Sequence, residues 1–183
     1  LEVGFSEELS LFQLNEFPNP AKMFNENYPF FSGSSEYMKK HFFNYSNWVK
    51  KNYLNSKSNI IEIGSNDGTM LQNFKNEGLN YIGFEPSMSV AKKAKKNNIN
   101  TLVEFFCYKN VNLLSKYKHN TDVICAANVI CHIPDLADLI KSVDLLLTLK
   151  GVFIFEEPYL GSMFDKISYD QIYDEHIYMF SVS

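Results

Sequence analysis

The chain has 183 residues, 45% hydrophobic and 21% charged, which fits one ordinary folded domain and excludes wholesale disorder. The net charge of −4 argues against a nucleic-acid binder working by bulk electrostatics, and since all 17 basic residues are lysine no bidentate arginine clamp exists. No apolar run approaches the ~18 residues of a membrane-spanning helix, and LEVGFSEEL at the start is no secretion signal, so no membrane partner and a cytoplasmic location are expected.

Residues 1–33 show no sustained periodicity and hold Pro18, Pro20 and Pro29, so an irregular lead-in with short elements is predicted, followed by one domain over residues 34–183. Ser34 or Ser35 caps a helix to about Asn52, with Met38, Phe42, Tyr45 and Val49 on one face. From Asn59, NIIEIG reads as a short strand and GTMLQNFKNEG as a helix closed by Gly78. LNYIGFEP is a second strand, and SMSVAKKAKKNN a helix capped by Ser87. NTLVEFF is a third strand, followed by a weaker helix near Val111–Lys118. TDVICAANVI is a fourth strand, nearly all apolar, as both covered faces of a parallel sheet require. DLADLIKSVDLLLTLKG is a helix capped by Asp135 and stopped by Gly151, and GVFIFEEP is a fifth strand. Strands alternating with helices through short loops predict an α/β fold, a Rossmann-like doubly wound parallel sheet. Ligands bind such sheets at the carboxyl ends of the strands. The KKAKK run reads as a solvated helix face, and Cys107, Cys125 and Cys131 lack CxxC spacing, so neither a disulfide framework nor a metal site is expected.

The segment IIEIGSNDGT, Ile60–Thr69, carries the first chemical signal. Gly64 follows the strand and Gly68 opens the next element, where a backbone approaches a ligand closely and unpaired N–H groups face it. Glu85, 21 residues beyond Gly64, ends the second strand, where a carboxylate can accept both ribose hydroxyls of a nucleoside. A nicotinamide dinucleotide would want glycines where Asn66 and Thr69 stand, and Glu62 puts a carboxylate beside the loop. That charge repels a pyrophosphate and attracts a sulfonium or an ammonium, which points to S-adenosylmethionine. The structural alternative for Glu62 is a carboxylate held by nearby backbone amides.

The run E-x-G-S-N-D-G-T with the later Glu85–Pro86 resembles the class I S-adenosylmethionine-dependent methyltransferases. More narrowly, the chain resembles the sugar C-methyltransferases that act on nucleotide-linked deoxy-ketosugars. FPNPAKMFNENYPFFSGSS, VEFF, NVICHIPDL, FEEPYL and IYDEHIYMFS carry that likeness from about residue 11 to 181. The resemblance implies a zinc-binding segment ahead of Leu1, and further strands and a C-terminal domain beyond Ser183, so the chain is expected to be a piece of a longer protein. It implies a cofactor loop of Gly64, Ser65, Asn66 and Gly68, with Glu62 toward the methionine end and Glu85 with Pro86 at the ribose. Glu104 and Phe105 would meet the adenine and Asn128 the sulfonium; simple core packing is the other reading of Phe105 and Phe106.

The catalytic candidates are Tyr173, Glu175 and His176. Methylating a carbon needs a proton removed α to a ketone, with the enolate oxygen stabilised. Histidine titrates near neutrality and suits the base; Glu175 would orient or replace it, and Tyr173 would donate to the enolate. His132 either joins the site or orders the turn before Asp135, and Tyr28 reaches in from the lead-in. Asp174, Met179 and Phe30 stand where similar proteins carry histidine, tyrosine and tyrosine. The implied enzyme is a methyltransferase with a nucleotide-linked sugar as its small-molecule substrate. An O- or N-methyltransferase on another small acceptor, or a non-catalytic nucleoside-binding module, are the alternatives; the oligomeric state is not encoded legibly.

Overall fold

The computed structural model describes residues 1–75 and 78–182. The lead-in holds strands β1 (Val3–Ser6) and β2 (Leu11–Leu14) and one helical turn, α1 (Pro20–Met23). Helix α2 (Glu36–Tyr53) starts at Ser35, the second of the two candidate caps, whose hydroxyl accepts from the Met38 N–H. Next come β3 (Asn59–Ile63), β4 (Asn80–Phe84), α3 (Met88–Lys96), β5 (Thr101–Leu102) and α4 (Tyr108–Val111). The chain continues through β6 (Thr121–Ala127), α5 (Leu136–Leu146), β7 (Leu147–Glu156), α6 (Leu160–Lys166) and β8 (Tyr178–Met179). No described helix is long and apolar enough to cross a membrane.

Five strands form a parallel sheet in the order β5-β4-β3-β6-β7. The doubly wound α/β expectation therefore holds. Every residue of the central strand β3 is buried because both sheet faces are covered. On one face Ile61, Ile82 and Ile124 pack against Leu139, Val143 and Leu146 of α5. On the other, Ile60, Val123 and Cys125 pack against Phe42 and Val49 of α2 and against Met70, Leu71 and Phe74. Chain order reverses on either side of β3, which puts the crevice for a ligand at its carboxyl end.

Several expected elements are corrected. After Gly68 there is a 3-10 turn, Leu71–Phe74, in place of a full helix to Gly78; residues 76–77 of that expected helix lie outside the described residues. The Gln72 and Asn73 side-chain amides donate to the Thr69 carbonyl at 3.0 and 3.2 Å, competing for an acceptor that a continuing helix would use. The third strand keeps Thr101–Leu102 alone, and the expected helix near Val111–Lys118 is absent: α4 starts where Asp138 accepts from the Tyr108 N–H at 2.8 Å and ends at Val111, with turns beyond it. Helix α5 ends at Leu146, and its last carbonyls are taken by the His119 and Asn120 N–H groups. Gly151 lies inside β7 next to a register shift, where a Cβ would stand 2.8 Å from the Thr121 carbonyl oxygen. Ser87 occupies the cap position of α3, but its hydroxyl donates to the Asn25 carbonyl at 2.8 Å. A second sheet, β1-β2-β8, is antiparallel and joins the start of the chain to its end, with Phe12 opposite Met179.

Candidate functional site

The turn leaving β3 is shaped by close approaches. Gly64 has φ +64°, and a Cβ there would come 2.5 Å from Val129 Cγ2. Asn66 also adopts positive φ, +49°, which asparagine tolerates better than most residues. Its N–H donates to Glu85 Oε2 at 3.0 Å, and the Ser87 N–H donates to Glu85 Oε1 at 2.7 Å. Burial pushes the Glu85 carboxyl up to about 7, although both amides pull the other way. Glu62 is buried beneath, with one oxygen lacking any partner. Desolvation, then the nearby Glu85 and Asp67, hold it well above the carboxylate range, against one hydrogen bond from the Leu71 backbone.

The same turn fastens the lead-in. Asn66 Oδ1 accepts from the Ser32 N–H at 2.8 Å, and Asn66 Nδ2 donates to the Phe30 carbonyl at 3.2 Å. Asp67 accepts from the Gly33 N–H at 3.2 Å and the Thr69 hydroxyl at 2.5 Å, and pairs with Lys93 at 3.0 Å. Residues 19–32 thereby form part of the wall of a cavity of about 710 Å³ over the strand ends. That volume lies within the ~300–1,000 Å³ of ligand pockets.

Of the loop candidates, Gly64, Asn66, Glu85 and Pro86 line this cavity, and so do Phe105 and Asn128. Tyr173 and Glu175 line it from the C-terminal segment. Glu62, Ser65 and Gly68 support the loop without lining the cavity. Glu104 also lies off the wall; it is exposed and accepts from Asn110 Nδ2 at 3.2 Å. His176 is buried behind the wall, only 2% exposed.

Tyr173 connects His176 to the cavity. His176 Nδ1 lies 2.8 Å from the Gln171 carbonyl oxygen, so that nitrogen carries the ring proton, and Nε2 accepts from the Tyr173 hydroxyl at 2.8 Å. Burial and the adjacent His132 lower His176 below the ordinary histidine value, so the neutral ring dominates at pH 7. Burial, then Glu175, push the Tyr173 phenol up to about 12. The Tyr28 hydroxyl donates to Glu175 Oε2 at 3.4 Å.

His132 ties the two ends of the site together. Its Nδ1 lies 2.6 Å from the Glu175 carbonyl oxygen, and its Nε2 lies 3.1 Å from that of Asn128. Burial lowers its pKa, so the single ring proton goes to the shorter contact. Glu157, which the sequence reading passed over, accepts from the Val129 and Ile130 N–H groups at 2.9 and 2.6 Å and fixes the turn after β6. The ligand atoms of Cys131, His132 and His176 lie within 4.8 Å of one another. Three of the four ring nitrogens there hold hydrogen bonds, while the unprotonated His132 Nε2 faces the Asn128 carbonyl oxygen, and burial holds the Cys131 thiol far above its ordinary value.

The charge of the wall is one-sided. Glu85, Asp135, Asp138 and Glu175 line the cavity, and no lysine does among the described residues. Asp135 was legible only as a helix cap and Asp138 not at all, because an acidic first turn is ordinary for a capped helix.

A methyltransferase-domain family model matches residues 38–183. The C-methyltransferase NovU of Streptomyces niveus is 27% identical over 123 residues, a stretch covering 67% of this chain and 29% of NovU. Among solved structures, a putative methyltransferase in complex with the Trm112 methyltransferase activator of Haloferax volcanii superposes with a TM-score of 0.62 at 13% identity, covering 81% of this chain and 66% of that one. A putative S-adenosylmethionine-dependent methyltransferase of Methanococcus maripaludis gives a TM-score of 0.57 at 15% identity, covering 87% and 74%. At such identities these two likenesses speak to the fold alone.

Proposed function

Because the chain belongs to the methyltransferase-domain family, we propose that it carries a methyl group from S-adenosylmethionine to a carbon of a nucleotide-linked ketosugar. The residues present fit this cofactor. Glu85, in the cavity wall, would hold the ribose hydroxyls, with Pro86 beside it. Gly64, Ser65, Asn66 and Gly68 would shape the loop beneath, and Phe105 and Asn128 would complete the walls. Glu62 has a buried oxygen without a partner next to that loop. A wall with four carboxylates favours a cationic ligand over a pyrophosphate, which disfavours a nicotinamide dinucleotide. S-Adenosylmethionine supplies an electrophilic methyl group on a positively charged sulfur.

The acceptor must lose a proton from the carbon α to its ketone. The observation that carries the reading is the 2.8 Å hydrogen bond from Tyr173 to His176, which links a buried neutral imidazole to the cavity. Tyr173 oxygen takes the α-proton as its own proton passes to His176 Nε2. The imidazolium so formed keeps its Nδ1–H on the Gln171 carbonyl. On acceptor binding Tyr28 would turn its one hydroxyl proton from Glu175 Oε2 to the enolate oxygen. A second reading has Glu175 as the direct base, because Glu175 lines the cavity and His176 does not. The likeness to NovU, a C-methyltransferase, supports carbon as the atom methylated, and the sugar substrate rests on the resemblance carried by FPNPAKMFNENYPFFSGSS and IYDEHIYMFS. The diphosphate of such a substrate stays outside the acidic cavity.

The test is deuterium exchange at the α-carbon of a nucleotide-linked 4-ketosugar in heavy water, alongside methyl transfer. The relay predicts that His176→Asn and Tyr173→Phe lose both. Exchange that survives in His176→Asn and vanishes in Glu175→Gln assigns the base to Glu175. Methyl transfer undiminished in both variants contradicts carbon methylation and returns the chain to the O- or N-methyltransferases.

A further inference from the structure

The four carboxylates of the cavity differ in what they already bind. Glu85 is held by two backbone amides, and Glu175 receives the Tyr28 hydroxyl. Asp135 caps α5 by accepting from the Asp138 N–H at 2.9 Å. Asp138 uses a single oxygen: Oδ2 accepts from the Tyr108 N–H at 2.8 Å and lies 3.5 Å from the Ser142 hydroxyl. Its Oδ1 has no protein partner among the described residues, and the residue lines the cavity.

The wall near Asp138 is apolar and suited to a flat ring. Phe105 and Phe106 precede the Tyr108 amide that Asp138 holds, and Ile133 and Pro134 lead into α5; all four line the cavity. Phe84, the residue before Glu85, packs edge-on against Phe106 with ring centroids 5.1 Å apart. This apolar slot therefore adjoins the carboxylate assigned to the ribose. Glu104, the sequence candidate for the adenine, is turned to Asn110 and leaves that end of the cavity without its carboxylate.

We propose that Asp138 reads the adenine of the cofactor by accepting a hydrogen bond from its exocyclic amine through Oδ1. The assignment rests on S-adenosylmethionine being the cofactor. A carboxylate can only accept, so it selects a purine that offers a donor at carbon 6. A 6-oxo purine brings an oxygen against Oδ1, and a site built around a hydrogen bond rejects such an analogue strongly.

Calorimetric titration of the intact chain with S-adenosylhomocysteine and with S-inosylhomocysteine tests this without any turnover. The wild type is expected to prefer the adenine ligand by at least about 30-fold, the equivalent of a charged hydrogen bond lost and a repulsion gained. Asp138→Asn keeps an oxygen acceptor for the Tyr108 N–H and replaces the free acceptor by a donor. Its preference is expected to fall by about tenfold or more, with S-inosylhomocysteine binding improved. The ratio within one variant is insensitive to the fraction of folded protein. Equal affinities in the wild type, or an unchanged preference in Asp138→Asn, overturn the assignment while leaving the cofactor in place. Binding of neither ligand by the wild type overturns both.

Discussion

The Asn66 backbone N–H donates to Glu85 across 3.0 Å, so the turn after β3 and the end of β4 are fixed to one another before any ligand arrives. Glu85 is 5% exposed, and burial raises its carboxyl to about 7 from the ordinary 4.5. A carboxyl whose folded value is raised adds stability that is complete below its unfolded value and is lost as pH rises through the folded one. Glu85 therefore weakens the unliganded protein between about pH 4.5 and 7, by ~3 kcal/mol at the upper limit. In urea denaturation, the stability of Glu85→Gln relative to wild type is expected to increase from pH 5 to pH 8. A constant difference would contradict the assigned environment.

The same titration sets ligand affinity with the opposite sign. Ribose hydroxyls donate to an ionised carboxylate, so affinity for S-adenosylhomocysteine is expected to weaken as pH falls below about 7, approaching tenfold per pH unit. Glu85→Gln removes that dependence and costs about 2 kcal/mol of binding above pH 7. Calorimetry at pH 5.5, 7 and 8.5 measures both.

Asp67 holds the lead-in through the Gly33 N–H and helix α3 through the Lys93 ammonium. Its side chain is 3% exposed, so removing it leaves the Gly33 amide and the Thr69 hydroxyl without their acceptor. Asp67→Ala is expected to lose about 3 kcal/mol of stability. Limited proteolysis should then cut within residues 24–33, which stay resistant in the wild type.

Gly64 is required twice, by its φ of +64° and by the 2.5 Å approach to Val129 Cγ2. Gly64→Ala costs about 1–2 kcal/mol for the left-handed backbone and about 1–3 kcal/mol for the overlap. Adding Val129→Ala removes Cγ2 and should recover most of the second part, since only the Cβ contact at 3.0 Å stays, and leave the first. A double variant no more stable than Gly64→Ala, after correction for Val129→Ala alone, would show that the overlap is not the cause.

Rates should follow the state of His176. Only the neutral ring accepts the Tyr173 proton, and burial lowers its pKa below the ordinary 6.5. Activity on a ketosugar is therefore expected to persist at pH 6.5 and to fall on further acidification, with an inflection in kcat that disappears from the residual rate of His176→Asn.

The sheet and the loop were legible in the sequence because short-range rules set them: apolar strands, a Ser35 and an Asp135 cap, and glycines where the backbone turns left. What escaped depends on distant contacts. Strands β1 and β2 carry no strong pattern, and β8, which pairs with β2, lies more than 160 residues further along the chain. The apolar run LLLTLKG continues the rhythm of α5, yet Leu147 already pairs with Thr121 in the sheet. Beyond the β1-β2 pair and the turn α1, the lead-in reads as irregular because residues 30–33 are held by the side chains of Asn66 and Asp67, which its own sequence does not signal. His176 was recognisable by type, but its place behind Tyr173 was not, because a residue at spacing three signals neither burial nor which ring faces a cavity.

The central claim is that the crevice at the end of β3 binds S-adenosylmethionine. Calorimetric titration with S-adenosylhomocysteine, set against NADH and a Glu85→Ala variant, tests it most directly. The account predicts saturable binding of S-adenosylhomocysteine, weakened at least tenfold in Glu85→Ala by loss of the ribose acceptor, and no binding of NADH. Binding of NADH in preference, or equal binding of S-adenosylhomocysteine by the variant, would contradict it.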